Sequence, residues 1–381
     1  MITPREVSNP WLLLSAAAAT FLLACHALSA SPPPSNRLPT PTDPGLASLP
    51  PDSRAREIYP EDWVKGGKYV QLPMGRVRYW LVGPPNGKKI TLIHGLSLPS
   101  FVFQHLIPIL TAANYQVLVY DLYGRGYSDA PRATPYDAKL YVTQLALLLQ
   151  HIGWVKTHLL GFSMGGAIAA SFVAAFPELV ERDVVLVASV GVWGPMPQMK
   201  YRHFPGVERR TIRSMFGNSK PTNPLEEIVQ QQYKHLPGFG HAVVSSLLEG
   251  PVSTSKWAFE CEAWRGRRVL LVHGTEDDVV PLHQIQSAAC HAFSAAMLLR
   301  AVDPEWMPAP DAAKAQSTNS SAGSWKFEGI FSAAQNARNL SRLDRVKPLG
   351  MASERLCLCQ GWKILGTESS PRRMTCWFVG N

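Results

Sequence analysis

The fold is decided by the stretch Gly161-Phe162-Ser163-Met164-Gly165-Gly166, a G-x-S-x-G sequence between a predicted strand at residues 157–162 and a predicted helix at residues 164–176. In this context the pattern predicts a serine held in a sharp turn, with its hydroxyl raised above a sheet. The flanking glycines remove side chains that would collide with the neighbouring strand and helix. The helix N-terminus brings backbone N–H groups and a positive dipole end close to Oγ. The alternative is a glycine-rich turn in which Ser163 only caps the helix.

Around this turn, short β-branched runs alternate with amphipathic stretches, which is typical of βαβ units on a parallel sheet. We predict strands at residues 69–72, 76–82, 89–93, 116–120, 157–162, 183–188, 269–273 and 297–302. We predict helices at residues 100–112, 138–152, 164–176 and 282–293. Residues 191–262 break this alternation and are interpreted as a cap over a site. The expected fold class is α/β, with a mostly parallel sheet flanked by helices and a cap insertion.

A second element ends an earlier predicted strand at His94 and continues into Leu96. A serine that performs acyl transfer requires N–H donors directed at the charge that develops on the substrate oxygen. We predict that the backbone N–H groups of Leu96 and Met164 form this oxyanion hole. His94 precedes the nucleophile and lies at a strand end, so we assign it a structural role.

A third element lies at residues 271–281, where acidic residues follow a late apolar run. A carboxylate at the carboxyl edge of a strand, placed after the serine in the chain, fits the triad order Ser, Asp, His. Its task is to hold the tautomer of an imidazole and to stabilise the imidazolium. The pattern does not choose among the adjacent acids Glu276, Asp277 and Asp278.

Together these elements resemble the α/β-hydrolase family that includes monoacylglycerol lipases, esterases, carbon–carbon bond hydrolases and cofactor-free haloperoxidases. The matching stretches lie at residues 94–95, 121–129, 161–166 and 274–281, and the resemblance covers about residues 67–286. It implies an α/β-hydrolase fold and a serine hydrolase that cleaves carboxylic esters, lipids or related acyl substrates. No cofactor and no metal site are expected.

The resemblance also implies roles for individual residues. It places the acid at Asp277, with Asp278 as the alternative. Asp121, Arg125 and Asp129 match a loop that supports the oxyanion turn from behind. A serine at the elbow excludes the epoxide-hydrolase and dehalogenase branches of the family, which place aspartate there.

The histidine of the triad is missing from its expected place. The resemblance puts it after the last strand, near residues 302–306, and Val302-Asp-Pro-Glu-Trp306 contains no histidine. His283 and His291 follow the acid, and His291 is kept as a candidate base although neither occupies the family position. The second hypothesis is therefore a catalytically impaired α/β-hydrolase that serves as a binding module or is an altered variant.

The ends of the chain differ from its middle. Residues 11–30 carry no Asp, Glu, Lys or Arg, so residues 1–30 are interpreted as a signal peptide or a membrane anchor. Residues 31–58 are rich in Pro and Ser and are predicted to be a linker. The hydrolase domain is expected at residues 59–302, followed by an irregular, poorly ordered tail at residues 303–381. The protein is accordingly expected in the secretory pathway or anchored to a membrane.

Composition limits the possible partners. The 381 residues are 46% hydrophobic and 17% charged, which allows a large buried core. The net charge of +9 is not accompanied by a basic run or an aromatic-basic stripe, so nucleic-acid binding is not expected. Six cysteines without a C-x-x-C pair predict neither a disulfide scaffold nor a zinc site. Apolar side chains in the predicted cap favour apolar acyl groups on a small-molecule ester or lipid substrate.

Overall fold

Short β-branched runs and amphipathic stretches alternate along the chain, and the computed structural model of the protein arranges most of them as one large sheet with helices on both faces, beside a separate two-stranded sheet. The structure describes residues 40–132, 134–192, 220–274, 277, 280, 298–301 and 374–379.

Within these residues, the strands are β1 (Thr42–Asp43), β2 (Gly67–Leu72), β3 (Gly75–Val82), β4 (Lys88–Ile93), β5 (Tyr115–Tyr120), β6 (Ala130–Pro131), β7 (Thr157–Phe162), β8 (Val180–Val187), β9 (Arg268–Gly274), β10 (Leu298–Ala301) and β11 (Met374–Val379). The α-helices are α1 (Arg54–Ile58), α2 (Leu106–Ala112), α3 (Ala138–Ile152), α4 (Met164–Ala175), α5 (Pro224–His235), α6 (Phe239–Leu248), α7 (Pro251–Thr254) and α8 (Lys256–Phe259). Short 3-10 helices cover Leu46–Ser48, Ser100–Phe103, Pro177–Leu179 and Glu262–Trp264.

The main sheet has the strand order β10-β11-β9-β8-β7-β4-β5-β3-β2. Its central strands β5, β4, β7, β8 and β9 are parallel, whereas β2 and β3 at one side and β10 and β11 at the other are antiparallel to their neighbours. The predicted fold class is confirmed. Because the central strands are parallel, their carboxyl ends meet at one edge, where open α/β sheets bind ligands.

Both faces of the sheet are buried, as expected for parallel strands. Successive residues of one strand point to opposite faces, so Leu159 belongs to one apolar cluster and Leu160 to the other. Helices α3 and α4 contribute to the first cluster, and α2 contributes to the second. This packing holds the carboxyl ends of the strands in a fixed frame on which a site is built.

The described part of the predicted cap consists of residues 191–192 and 220–262. Helix α5 begins where the side chain of Asn223 accepts a hydrogen bond from the N–H of Glu226, a standard N-cap. Its buried residue Ile228 packs into the second apolar cluster together with Phe239 and Val243 of α6. The cap is therefore joined to the core of the domain, close to the carboxyl edge of the sheet.

Residues 40–59, here called the strap, pack against the domain although most of them fall in the predicted linker. Strand β1 pairs with β6, and Leu46 is completely buried. Leu46 donates its N–H to the carbonyl of Gly126, and Arg54 pairs with Glu227 of the cap. The folded unit therefore begins before residue 59, because apolar residues of the strap pack against the core of the domain.

The carboxyl-terminal part of the chain also differs from the expectation. Strand β11 lies between β9 and β10 and is antiparallel to both, although we predicted residues 303–381 to be an irregular tail. Its sequence, MTCWFV, is rich in residues that favour strands, and a free sheet edge beside β9 gives it a partner.

Several predictions fall on residues that the structure does not describe. These are the targeting segment at residues 1–30, the predicted helix at residues 282–293, residues 193–219 of the cap, and the rest of the tail. Among the described residues, no helix combines the length and apolar character that a membrane crossing requires.

Candidate active site

Ser163 occupies the turn between β7 and α4 with φ 54° and ψ −117°, a conformation that L-residues rarely adopt. Its N–H donates to the carbonyl of Val187 at 2.8 Å, and its own carbonyl accepts from the N–H of Gly166 at 3.0 Å. These bonds to neighbouring elements hold the strained turn. The side chain forms no capping hydrogen bond with α4 and is partly exposed. The serine therefore presents Oγ at the carboxyl edge of the sheet instead of closing the helix.

The glycines of the motif allow α4 to approach the sheet. A Cβ atom added to Gly165 would overlap the carbonyl oxygens of Ile93 and His94, and one added to Gly161 would overlap the backbone of Gly165. Because these obstacles are backbone atoms, no side-chain movement can make room for the added atom. The glycine spacing thus follows from the close contact between α4 and strands β4 and β7.

The segment after β4, residues 94–98, is called the oxyanion loop below. It passes beside the nucleophile, since a Cβ added to Gly95 would lie 3.3 Å from Cβ of Ser163. Leu96 N–H and Met164 N–H are the two donors that the sequence predicts. As the first residue of α4, Met164 has an N–H without an acceptor inside the helix.

His94 fixes the orientation of this loop. The N–H of Leu122 donates to Nε2 of His94 at 2.9 Å, so Nε2 is unprotonated and Nδ1 carries the hydrogen. Nδ1 then donates to the carbonyl of Gly95 at 2.9 Å. Burial lowers the pKa of His94 to about 3, which keeps the ring neutral. With both ring nitrogens engaged, His94 acts as a structural residue.

The bond from His94 also orients a predicted oxyanion donor. The carbonyl of Gly95 and the N–H of Leu96 belong to one trans peptide plane and point in opposite directions. A hydrogen bond that holds the carbonyl therefore also sets the direction of the N–H. The geometry of the loop depends in this way on a side chain that touches no substrate.

Asp277 lies just beyond β9, at the same edge of the sheet as Ser163 and with β8 between their strands. The residue is 6% exposed, and Oδ1 accepts the N–H of Val280 at 2.7 Å. Oδ2 lies 3.5 Å from Nε2 of His273, and the same nitrogen lies 2.6 Å from the carbonyl of Val280. Asp277 is thus a buried, fixed carboxylate at the place where the triad order predicts one. The neighbouring acids Glu276 and Asp278 fall outside the described residues.

The segment at residues 121–129, the support loop, is organised around Asp121. This buried carboxylate accepts hydrogen bonds from the N–H and hydroxyl of Ser100, from the N–H of Tyr127 and from the hydroxyl of Tyr59. Burial nevertheless raises the pKa of Asp121, because desolvation of the charged form outweighs these bonds. Asp129 accepts the N–H of Arg76 at 2.9 Å. Both acids thus lie behind the site as structural groups.

The structure describes only some of the histidines that follow or precede the nucleophile as candidate bases. His283 and His291 fall outside the described residues, and His94 is engaged at both nitrogens. His273, to which we assigned no role from the sequence, contacts Asp277 from the end of β9. The sequence feature that indicates this contact is the position of His273 at the end of a predicted strand, four residues before Asp277. Among the described residues, no three His, Cys, Asp or Glu side chains group together as metal ligands.

Comparison with known proteins assigns this sequence to a family. The sequence model of the family described as "Serine aminopeptidase, S33" matches residues 84–302, more than half of the chain. The chain belongs to this S33 family of α/β-hydrolases. The matched region contains the oxyanion loop, the support loop, Ser163 and Asp277.

The S33 family member is similar to several known proteins. It shares 25% identity over 260 residues with the magnesium-chelatase 30 kDa subunit of Rhodobacter capsulatus, covering 64% of this chain and 90% of that protein. It shares 27% identity over 219 residues with the 2-hydroxy-6-oxo-2,4-heptadienoate hydrolase of Pseudomonas putida, covering 51% of this chain and 74% of that protein. The crystal structure of a hydrolase from Pseudomonas aeruginosa has the same fold, with a TM-score of 0.50 and 20% identity over 60% of this chain and 87% of the other.

Family and fold together define the activity in general terms. The protein is a hydrolase of the α/β-hydrolase fold, and membership of this family implies a small-molecule substrate.

Proposed function

We propose that this S33-family hydrolase cleaves carboxylic esters or related acyl substrates, with Ser163 as the nucleophile. The strained backbone of Ser163 carries this proposal, because residues held in strained backbone conformations cluster at active sites. The hydroxyl does not cap α4, and the oxyanion loop passes directly beside it. A nucleophile and predicted N–H donors therefore share one edge of the sheet.

In the proposed reaction, Oγ of Ser163 attacks the carbonyl carbon of the substrate while its proton passes to a base. The N–H groups of Leu96 and Met164 stabilise the negative charge on the substrate oxygen. The tetrahedral intermediate collapses to an acyl-serine, and the alcohol leaves with the proton that the base returns. Water then attacks the acyl carbon and gives one proton to the base, and the base returns that proton to Oγ as the carboxylic acid is released.

We assign to Asp277 the task of orienting the base. Its burial and its bond to Val280 favour this role, since the acid of a triad must be fixed and ionised to stabilise an imidazolium. The base is to be sought among His273, His283 and His291. Each of these histidines is replaced singly by glutamine, and each variant is tested for loss of ester hydrolysis.

Covalent labelling tests the nucleophile directly. A fluorophosphonate probe should label the purified protein, and Ser163→Ala should abolish the labelling. Ser171→Ala is the matched control, because Ser171 is a buried serine of α4 whose hydroxyl bonds the carbonyl of Ala167. Unchanged labelling of Ser163→Ala would refute the assignment. Absence of labelling in folded parent protein would favour the impaired hydrolase or binding module instead.

A substrate series tests the reaction class. We expect hydrolysis of p-nitrophenyl esters with short or medium apolar acyl chains, and slower hydrolysis of charged esters. Alanine p-nitroanilide provides the comparison with aminopeptidase chemistry. Faster hydrolysis of the anilide than of every ester would contradict the proposed ester preference.

The proposed location rests on residues 11–30, which contain no Asp, Glu, Lys or Arg. We propose that the catalytic domain lies in the secretory pathway or at a membrane face, where this segment targets or anchors it. Carbonate extraction of expressing cells should leave the full-length protein in the membrane pellet or release a shortened, processed form. Release of the unprocessed full-length chain would contradict both forms of the proposal.

A further inference from the structure

Three consecutive carbonyl groups of the oxyanion loop each accept a hydrogen bond from a side chain. His94 donates to the carbonyl of Gly95 at 2.9 Å, and Arg125 donates through Nε to that of Leu96 at 2.8 Å. Gln232 donates through Nε2 to the carbonyl of Ser97 at 3.1 Å. His94 is the first residue of the oxyanion loop itself, whereas Arg125 belongs to the support loop and Gln232 to the cap, so the loop is held from within and by two neighbouring elements.

Gln232 connects the cap to both loops behind the nucleophile. It belongs to α5, is completely buried, and accepts the N–H of Gly126 on Oε1 at 2.7 Å. This bond orients the amide, so its NH2 group faces the carbonyl of Ser97. One side chain of the cap thus bridges the support loop and the oxyanion loop.

Arg125 connects the same loops to the next cap helix. Besides the bond to Leu96, its guanidinium donates to the carbonyl of Tyr123, to the hydroxyls of Tyr141 and Ser246, and to the carbonyl of Ala242. These bonds use all five N–H groups of a completely buried arginine, and each acceptor is a neutral oxygen. A planar group satisfied in this way permits little movement of the parts it joins.

We propose that Gln232 is a positioning residue for the oxyanion hole, acting together with Arg125 so that the cap helices α5 and α6 set the position of the Leu96 donor. The proposal rests on the proposed function of the site. Loss of the bond to Ser97 releases the oxyanion loop on the side facing the cap, while His94 still holds the carbonyl of Gly95. The Leu96 N–H then shifts in position relative to the substrate oxygen, although His94 still sets its direction. A displacement of about 1 Å in a catalytic group can lower the rate on the order of a hundredfold.

The choice of variants separates positioning from stability. Gln232→Met keeps the side-chain volume and removes both bonds, whereas Gln232→Glu keeps the acceptor for Gly126 and places a second oxygen against the carbonyl of Ser97. Ser245→Ala is the matched control. Ser245 of α6 accepts the N–H of Tyr136 at 2.9 Å, so it also joins the cap to the core, but it does so away from the oxyanion loop.

Two measurements are made on the full chain. The first is the rate constant for labelling of Ser163 by the fluorophosphonate probe, together with kcat and KM for a p-nitrophenyl ester. We expect both Gln232 variants to lower the labelling rate and kcat by about 10-fold to 100-fold, with KM within about threefold of the parent. Ser245→Ala should stay within about twofold in each quantity.

The second measurement is hydrogen exchange of the backbone amides at residues 94–98, which requires no catalytic activity. Faster exchange in Gln232→Met than in Ser245→Ala supports the proposal even if the parent fails to label, in which case only the proposed function is lost. Unchanged exchange, or a loss of labelling equal in the Gln232 and Ser245 variants, overturns it. If Gln232→Met does not fold, Arg125→Lys is measured in the same way, with Arg267→Lys as its control. Arg267 donates to carbonyls at the opposite edge of the sheet.

Discussion

Acidification should destabilise this domain through one buried histidine. His94 accepts a hydrogen bond from Leu122 on Nε2 and donates one to Gly95 from Nδ1, so the folded state requires the neutral ring. Burial lowers the pKa of His94 from its ordinary value of 6.5 to about 3. The stabilisation from the neutral ring is present above pH 6.5 and is lost progressively as the pH falls towards 3.

The size of the effect follows from the two pKa values. At pH 5 the unfolded chain binds a proton at His94 almost completely, while the folded chain does not. The resulting loss in the free energy of unfolding between pH 7 and pH 5 is about 2 kcal/mol. Since small domains are stabilised by about 5–15 kcal/mol in total, this loss is large enough to measure.

Urea denaturation followed by tryptophan fluorescence at pH 7, 6 and 5 measures this loss. His94→Asn keeps a donor for the carbonyl of Gly95 and has no titrating ring. We expect it to be less stable than the parent at pH 7, because the N–H of Leu122 loses its acceptor. Its unfolding free energy should fall by about 2 kcal/mol less than that of the parent between pH 7 and pH 5. His235→Gln, at an exposed position of α5, is the control. Identical pH dependence in the parent and His94→Asn would refute the reasoning.

Two further substitutions test the elements around the site. Gly165→Ala should destabilise the domain by about 1–3 kcal/mol or more, since its Cβ meets the backbone oxygens of Ile93 and His94. Gly274→Ala, where the nearest atom is 3.7 Å from the added Cβ, is the control, and equal stability of the two variants in urea denaturation would contradict the explanation. Leu46→Ala should cost about 2–5 kcal/mol because Leu46 is completely buried in the strap. Val155→Ala, at a position that is 76% exposed, is its control, and a change as small as that of Val155→Ala would show that the strap adds little stability.

The central sheet was predictable because its strands are buried on both faces. A short apolar run predicted residues 157–162 as a strand and an amphipathic stretch predicted residues 138–152 as a helix, with the bounds that the structure gives to β7 and α3. The predicted helix at residues 100–112 instead divides into the 3-10 helix Ser100–Phe103 and α2 (Leu106–Ala112). In that region the N–H and hydroxyl of Ser100 bond the carboxylate of Asp121, a long-range contact that periodicity does not reveal.

The strap and β11 were missed for a different reason. Both lie in stretches whose average composition is polar or rich in proline, so a few apolar residues were outweighed by their neighbours. Leu46 is buried where the strap meets the support loop, and it donates its N–H to the carbonyl of Gly126. Strand β11 depends in the same way on β9, its partner about a hundred residues earlier in the chain.

At the site, the sequence indicated the residues that belong to a local motif and missed those that act across the fold. Ser163 and its glycines are read from five adjacent positions. Gln232 reaches Ser97 from 135 residues away, and nothing in the sequence around it marks a buried glutamine of α5 as a ligand of the oxyanion loop. Pairings of this kind are set by tertiary packing, and a single sequence does not record them.

The strap and the site share the carboxylate of Asp121. Burial of this carboxylate is unfavourable unless hydrogen bonds compensate for the lost hydration. Two of its four hydrogen bonds come from Ser100 in the 3-10 helix after the oxyanion loop, one from Tyr127 of the support loop and one from Tyr59 of the strap. Tyr127 in turn donates its hydroxyl to the carbonyl of Tyr59 at 2.5 Å. Displacement of the strap would therefore leave a buried charge with fewer donors directly behind the oxyanion loop. A buried charge that loses part of its hydrogen bonding is strongly unfavourable, so the structure resists displacement of the strap. The hydrogen bonds to Asp121 therefore hold the strap and the support loop together.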